Sequence, residues 1–450
     1  MDQSTSVARI ADGERIASLD IIRGVAILFI LFLNIPYVGG LVGFPTFELR
    51  APSWGAADYW TVLIVNSFLD GTQRGLLELL FGAGILIMTR KAMTPDGPVE
   101  IADLHYRRNL WLIVFGLFNA FVLFWAGDIL LLYGIAAIFL FPFRRMSVRG
   151  QLAFAALLLG TLQLMSVLEY REAATERARV EQVAQRMAAG AVIAEADRKK
   201  VDEQRMGDLR RAQPPSQNAE SGKRIAAAQA ARLGGPVEYW RAARDGWLYV
   251  MGYFWWIQAE IMATMLIGMA LFQRNILQGK ARARTYALLL VGGYGIGLAL
   301  RGSLWLERLE FQPGMRWQRQ FDDVSRLAVT LGHVGLIHLL LRASVGRWLL
   351  KPFAAAGKIP LTVYLFTSFL MAWVIFAPWG FAMFGKWSAW QLALVAGIVI
   401  AFELVAANLW VQRFANGPME WLWKSLAYQQ RQPFRRLRAA SSRAAPLPAD

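Results

Sequence analysis

Residues 20–42 read DIIRGVAILFILFLNIPYVGGLV. Between Arg23 and Asn34 no side chain is polar, and the whole run has the roughly 20-residue length that crosses the hydrocarbon core of a bilayer. It is too long for the apolar region of a typical cleavable signal peptide, so it is expected to remain as a first membrane span. Nine further apolar runs follow, near Leu76–Met88, Leu110–Trp125, Ile129–Phe143, Leu152–Leu168, Trp247–Phe272, Tyr286–Leu304, Leu327–Leu341, Ile359–Ala377 and Gln391–Val411. Several need flanking residues to reach spanning length.

The basic residues give these runs a direction. Arg9, Arg15 and Arg23 precede or open the first; Arg90, Lys91, Arg107 and Arg108 lie between the second and third. Arg144, Arg145 and Arg149 follow the fourth, and Arg274, Lys280, Arg282 and Arg284 the sixth. Arg342, Arg347, Lys351 and Lys358 follow the eighth, and Arg413, Lys424, Arg435 and Arg436 the tenth. Every second connection is basic, which places them all on the cytoplasmic side if about ten spans are counted. The fold expected is therefore all-α: a polytopic membrane bundle of about ten transmembrane helices with both termini cytoplasmic, in a bacterial inner membrane. The segment around Tyr59–Phe68 is apolar, but Asp70, Gly71, Gln73 and Arg74 interrupt it, so it reads as an interfacial or half-inserted helix on the outer side.

Composition agrees. Of 450 residues, 56% are hydrophobic, with 18 Trp, a mean hydropathy of +0.36 and a formal charge of +16. The basic residues flank apolar runs, so they read as topology signals and as attraction to anionic lipid; no nucleic-acid-binding motif is present. Cysteine is absent, which excludes disulfides, thiolate metal sites and cysteine nucleophiles. The partners expected are the bilayer and a small-molecule or glycolipid substrate, with a homodimer open.

Four domains are expected. Residues 1–170 form a first five-helix membrane block. Residues 171–245, rich in Ala, Glu, Arg and Gln, form a charged helical insert between the fifth and sixth spans, extracytoplasmic by parity. Pro214-Pro215-Ser216 and Gly234-Gly235-Pro236 are expected to break it into two or three pieces. Residues 246–428 form a second five-helix block ending in an interfacial helix, and 429–450 a disordered basic tail. No internal repeat stands out, which weakens an inverted-repeat transporter reading.

Ionisable groups at membrane depth are costly, and so are usually paired or functional. Asp20 and Arg23, three apart on one helix face, either neutralise each other or offer a cytoplasmic mouth to an anionic group such as a nucleotide phosphate. Asn34 either caps a neighbouring helix or touches a ligand. Glu78 is expected to face the bundle interior, just before Phe81-Gly82-Ala83-Gly84, whose glycines allow close helix approach. Asp128 suits the N-terminus of the fourth helix, where a carboxylate satisfies free N–H groups, or else forms an outward-facing polar pocket with Tyr133. Glu260 and Glu403 are further intramembrane carboxylates that could take protons or pair with a basic group. His105 reads as a cytoplasmic flank; His333 and His338, five apart, point to different faces, so no metal site is expected. Gly417 suits a helix C-cap, Pro418 a new first turn, and Trp421, Trp423 and Lys424 an interfacial anchor.

Several stretches resemble the YeiB-like family of bacterial inner-membrane proteins, largely of unknown function. They are Ser18-Leu19-Asp20-Ile21-Ile22-Arg23-Gly24 with Leu33-Asn34-Ile35; Leu79-Leu80-Phe81-Gly82-Ala83-Gly84; Gly127-Asp128-Ile129-Leu130 with Tyr133; Gly357-Lys358-Ile359-Pro360-Leu361-Thr362-Val363-Tyr364; and Gly417-Pro418 with Glu420-Trp421-Leu422-Trp423. They run in family order from about Ile16 to Tyr428. That family is similar in turn to a wider group of transmembrane acyltransferases, including enzymes that decorate bacterial surface sugars and the lysosomal heparan-α-glucosaminide N-acetyltransferase. The resemblance implies transfer of an acyl group from cytoplasmic acyl-CoA, as co-substrate with no covalent cofactor, to an extracytoplasmic acceptor. It implies Asp128 and Asn34 as catalytic candidates and Asp20, Arg23, Glu78, Tyr133 and Tyr364 as substrate-binding candidates. The sugar-modifying enzymes place a histidine eleven residues after the first-helix arginine, where this chain has Asn34. The heparan enzyme instead keeps a histidine in the next outer loop, where Gly39–Trp60 offers only Glu48 and Asp58. Asn119 stands where YeiB-like proteins often carry another histidine. The competing reading is a non-enzymatic transporter or lipid-handling protein coupled through Glu78, Glu260 or Glu403.

Overall fold

A computed structural model of the chain describes residues 16–40, 55–89, 99–212, 219–309 and 315–435, and these are α-helical with no β-strand among them. The first run forms α1, Ala17–Val38, and the interrupted outer segment forms a separate short helix, α2, Ala56–Phe68. Next come α3, Thr72–Thr89; α4, Val99–Phe121; and α5, Leu130–Leu140. The sixth helix, α6, runs unbroken over Val148–Ala188, carrying the apolar Leu152–Leu168 run straight into the charged insert. The insert continues as α7, Glu195–Ala212, then α8, Ala219–Leu233, and α9, Pro236–Met251.

The remaining bundle comprises α10, Phe254–Gln273; α11, Ala283–Leu309; and α12, Asp322–Leu340. Two short helices, α13 (Ser344–Leu350) and α14 (Phe353–Lys358), lead into α15, Pro360–Phe369, extended by a π-helical turn over Leu370–Ile375. The chain closes with α16, Ala389–Arg413, and α17, Pro418–Tyr428.

By length and apolarity, five helices can cross a membrane alone: α1, α6, α10, α11 and α16. A sixth is possible if the segment Trp317–Leu340 and α13, bent by 116°, act as one. The other expected spans also fall on helices, but those helices are shorter or carry charge. The α5 helix has 11 residues, and α3 carries Arg74 and Glu78 within its first two turns. Helices packed inside a bundle need not meet lipid's requirement for an apolar exterior. Those at its rim must, and α16 does: Leu394, Ile398, Phe402, Val405 and Leu409 form one exposed apolar stripe at helical spacing while Ala396, Val399 and Ala407 are buried opposite. Such a stripe would be an aggregation hazard in water; against acyl chains it costs nothing.

At the centre, α1 packs against α3, α14, α15 and α16. Two crossings depend on glycine. A Cβ at Gly24 of α1 would collide with the Phe353 carbonyl, and one at Gly357 of α14 with the Asp20 carbonyl. Likewise Gly82 of α3 meets the Met265 carbonyl, and Gly268 of α10 meets that of Leu79. The expected close approach therefore uses Gly82, whereas Gly84 has open space.

The structure departs from expectation in four places. The insert has more breaks than its Pro and Gly clusters suggest, because Gly190, at φ 83°, turns α6 into the antiparallel α7, held by Arg177–Asp208 (2.6 Å) and Lys200–Glu176 (2.6 Å). The 214–216 cluster lies outside the described residues, while Gly235 does separate α8 from α9. Gly417 is not the C-cap of α16, a place taken by Phe414, but the N-cap of α17. Trp421 and Trp423, expected as an interfacial anchor, are tied to protein: their indole N–H groups donate to the Gln432 and Arg108 carbonyls (2.7 and 2.8 Å). Finally, residues 429–435, the described part of the expected tail, fold back on the bundle. Phe434 packs on Phe414 and Trp421, and its carbonyl accepts from the Ala415 N–H (3.0 Å). Arg9, Arg15, Glu48, Arg90, Lys91 and Arg436 lie outside the described residues.

Candidate functional site

Two buried polar groups lie inside the bundle. The first assembles around Asp128, in the short connection between α4 and α5. Its Oδ2 accepts from the Leu131 backbone N–H (2.8 Å), which is the N-terminal capping its position suggested. Its Oδ1 accepts from Asn119 Nδ2 (2.8 Å) and from the Tyr364 hydroxyl (3.4 Å), while that hydroxyl accepts from the Ile129 N–H (3.3 Å). Asp128 is buried and holds residues from α4, α5 and α15 together. Tyr364 then lines a small cleft, of about 20 Å³, with Asn34, Trp125, Thr367 and Ser368. That is room for about one water. Behind it, Thr367 meets Glu403 of α16 (2.6 Å), whose second carboxylate oxygen has no partner among the described residues.

The second group is ionic. Arg74 contacts Glu78 (3.2 Å) and Glu260 (2.5 Å), and Arg326 contacts Glu78 (3.4 Å) and Glu260 as well. The side chains of Glu78, Glu260 and Arg326 are 0%, 2% and 5% exposed. Two arginines and two glutamates from α3, α10 and α12 thus form a closed, neutral square. Burying ions costs several kcal/mol each, repaid only when all charges are matched. The Tyr133 hydroxyl donates to the Arg74 carbonyl (3.0 Å), so Tyr133 belongs to this square, and of the two alternatives for Asp128 it is capping that the structure shows. Glu78 does face the interior, but its partners are arginines of the chain itself.

At the opposite end of α1 from Asn34, Arg23 donates to Asp20 Oδ1 (2.9 Å) and to the Gly357 carbonyl (3.0 Å). The Gly24–Gly357 crossing brings that carbonyl, near the C-terminus of α14, within reach. The three histidines are dispersed and buried. His105 is no surface flank: a ring nitrogen meets the Ala137 carbonyl (3.0 Å). His333 bridges the Phe68 carbonyl and the Tyr294 hydroxyl, and His338 packs on Tyr286. Among the described residues no cluster of His, Asp and Glu could hold a metal ion.

Residue spacing did not reveal Glu420. Buried beside Gly417, it accepts from the Leu361 and Thr362 N–H groups (2.6 and 3.0 Å) and from the Thr362 hydroxyl (2.5 Å), capping the α15 helix that carries Tyr364. The only signal was an acidic residue in the first turn of α17, which a local capping role would have explained equally well.

The helices and their lipid-compatible exterior define a membrane protein whose polar groups are gathered inside the bundle. The chain is similar to YeiB-like proteins over nearly its whole length. Residues 271–430 match the model of a protein family of unknown function, DUF418. The chain is 26% identical to the uncharacterized protein YxaH of Bacillus subtilis (strain 168) over 434 residues, which cover 93% of this chain and 96% of that protein. It is also 26% identical to the uncharacterized protein YeiB of Escherichia coli (strain K12) over 447 residues, covering 93% and 98% of the two chains. No solved structure matches.

Proposed function

We propose that the protein is an inner-membrane acyltransferase, moving an acyl group from cytoplasmic acyl-CoA to the hydroxyl or amine of an extracytoplasmic acceptor. The observation that carries this reading is that Asn34 of α1 and Tyr364 of α15 line one cleft, with Asp128 of the α4–α5 connection hydrogen-bonded to the Tyr364 hydroxyl behind it. In this reading Asp128 replaces the absent histidine, but acts through Tyr364, which alone of the two lines the cleft.

The acceptor O–H or N–H attacks the thioester carbonyl, and the new C–O or C–N bond forms as the C–S bond breaks. The acceptor's proton passes to the Tyr364 oxygen while the Tyr364 proton moves to Asp128; the pair then returns a proton to the departing CoA thiolate. The Asn34 amide donates to the oxyanion of the intermediate. Arg23 and Asp20 lie eleven and fourteen residues below Asn34, about 16 and 21 Å along the helix, a separation of the order of an extended phosphopantetheine arm. Arg23 would meet the donor's phosphates there. The cleft must widen to admit an acyl group.

The competing proton-coupled reading loses two of its three carboxylates to the ionic square, because Glu78 and Glu260 are each held by two arginines, and rests on Glu403 alone.

The test is titration of the purified full-length protein, in lipid nanodiscs, with radiolabelled acetyl-CoA, alongside envelope profiles of a deletion strain. Saturable binding and an acylated envelope product restored by the wild-type gene but not by Tyr364→Phe or Asp128→Asn are expected. No acetyl-CoA binding together with an unchanged profile would sink the proposal.

A further inference from the structure

On the opposite face of α1 from the Asn34 cleft lies a larger cavity, of about 220 Å³. Leu31, Asn34 and Val38 face the cleft, whereas Phe32, Leu33 and Pro36 face the cavity, as 100° per residue requires. Pro36 has no N–H to offer the Phe32 carbonyl one turn below, and both residues line this space.

The cavity has two ends of different character. Phe32, Val65, Leu304 and Leu392 make an apolar wall, while Tyr37, Asp70, Arg308, Arg319 and Asp322 supply polar groups. Its aspartates are already engaged. Buried Arg301 donates to the Asp70 carbonyl (2.7 Å), pairs with the Asp70 carboxylate (3.2 Å), and reaches Asp322 at 3.8 Å. Arg308 stacks on Trp305, 4.7 Å from the ring centroid. Neither Arg308 nor Arg319 lies within ion-pair distance of a carboxylate among the described residues; Arg308 is repelled by Arg319 and Arg316 and drawn at longer range to Asp322 and Asp70. Among the groups that line the cavity and the Arg301 paired to them, three arginines face two aspartates, a positive excess that suits an anion.

The position of the cavity narrows the source of that anion. It opens where α1 and α11 end and α12 and α16 begin. Exposed Trp60, Trp317 and Trp390 stand next to its lining in the sequence. Exposed tryptophans concentrate at the headgroup level of a bilayer. The geometry points to a binding site for an anionic amphiphile: its phosphate-type head on Arg308 and Arg319, and the top of an apolar chain along Phe32, Val65 and Leu304. This assignment is independent of the acyl-transfer proposal and uses none of its residues.

Native mass spectrometry and thermal melting of the full chain in maltoside micelles test it, with phosphatidylglycerol as probe and phosphatidylcholine of the same chains as the zwitterionic control. Phosphatidylglycerol should be retained at least tenfold more tightly and raise the melting temperature; inorganic phosphate should do neither. Arg308→Gln with Arg319→Gln should abolish the preference. Val65→Trp, which fills the apolar end and leaves every charge in place, should lower retention of both lipids at an unchanged lipid-free melting temperature. Equal retention of the two lipids, a shift from inorganic phosphate alone, or an unaltered preference in the double-arginine variant would each overturn the assignment.

Discussion

The ionic square and the Asp128 group are both buried and both polar, yet they handle polarity in opposite ways. In the square, each carboxylate lies between two guanidiniums and no charge is left over. At Asp128 a single carboxylate is held by dipoles, two N–H donors and a hydroxyl, and one of those donors, Tyr364, also faces a void. A closed square can hold three helices in register but has nothing to offer a substrate. A carboxylate held by neutral donors, one of which faces a cleft, can exchange a proton through that donor. The difference between matched ions and dipole-held ions is what separates a structural from a chemical reading here.

Breaking the square should produce the largest effect. Removing one member, as in Arg326→Ala or Glu260→Ala, leaves an unmatched buried charge and should cost about 3–5 kcal/mol; detergent melting curves would read this as loss of the folded protein. Replacing Arg326 and Glu260 together by Met and Leu should recover a large part of the loss, whereas additive losses would mean the square is not a unit.

Asp128→Ala should come next. It removes a helix cap worth about 1 kcal/mol and strands buried donors on Asn119 and Tyr364 at about 1–3 kcal/mol. Asp128→Asn keeps the shape and much of the hydrogen bonding, so it should melt closer to wild type while failing in the transfer assay. Tyr364→Phe is the sharper instrument, because it should cost only about 1 kcal/mol and still abolish transfer. If Tyr364→Phe transferred at the wild-type rate, the functional contrast between the two groups would disappear.

The smallest effect belongs to the insert, whose ion pairs are exposed. Lys200 beside Glu176 holds that carboxyl below the usual glutamate range through a hydrogen bond and its charge. A carboxyl depressed in the folded state adds stability above its unfolded value and loses it as pH falls through the folded one. Hydrogen exchange across the α6–α7 hairpin should therefore quicken below about pH 4, while the buried square remains protected.

How much could be read beforehand follows the distance over which each feature is decided. The Asp20–Arg23 pair and the Asp128 cap are local, three residues from donor to acceptor, and helix geometry alone announces them. Glu78 was legible as inward-facing, because an ion in an apolar helix has few other choices. Its partner Arg326 lies 248 residues away, and Glu260 is 186 from Arg74, so no spacing rule reaches them. The same is true of Glu420, whose carboxylate caps a helix 58 and 59 residues upstream. Tyr133 follows Asp128 by only five residues, which leaves a shared pocket open as an alternative, whereas its hydroxyl points to α3.

The sequence by itself determined that this is an all-α membrane protein with apolar helices of spanning length and inward carboxylates, because helix periodicity and the cost of bare charge in lipid act within single segments. Tertiary structure alone decided which charges cancel, which helix faces touch at bare glycines, and that α1 divides a narrow polar cleft from a wider charged cavity. Those outcomes depend on which segments meet in space, and the energy of a buried charge is set by neighbours far along the chain.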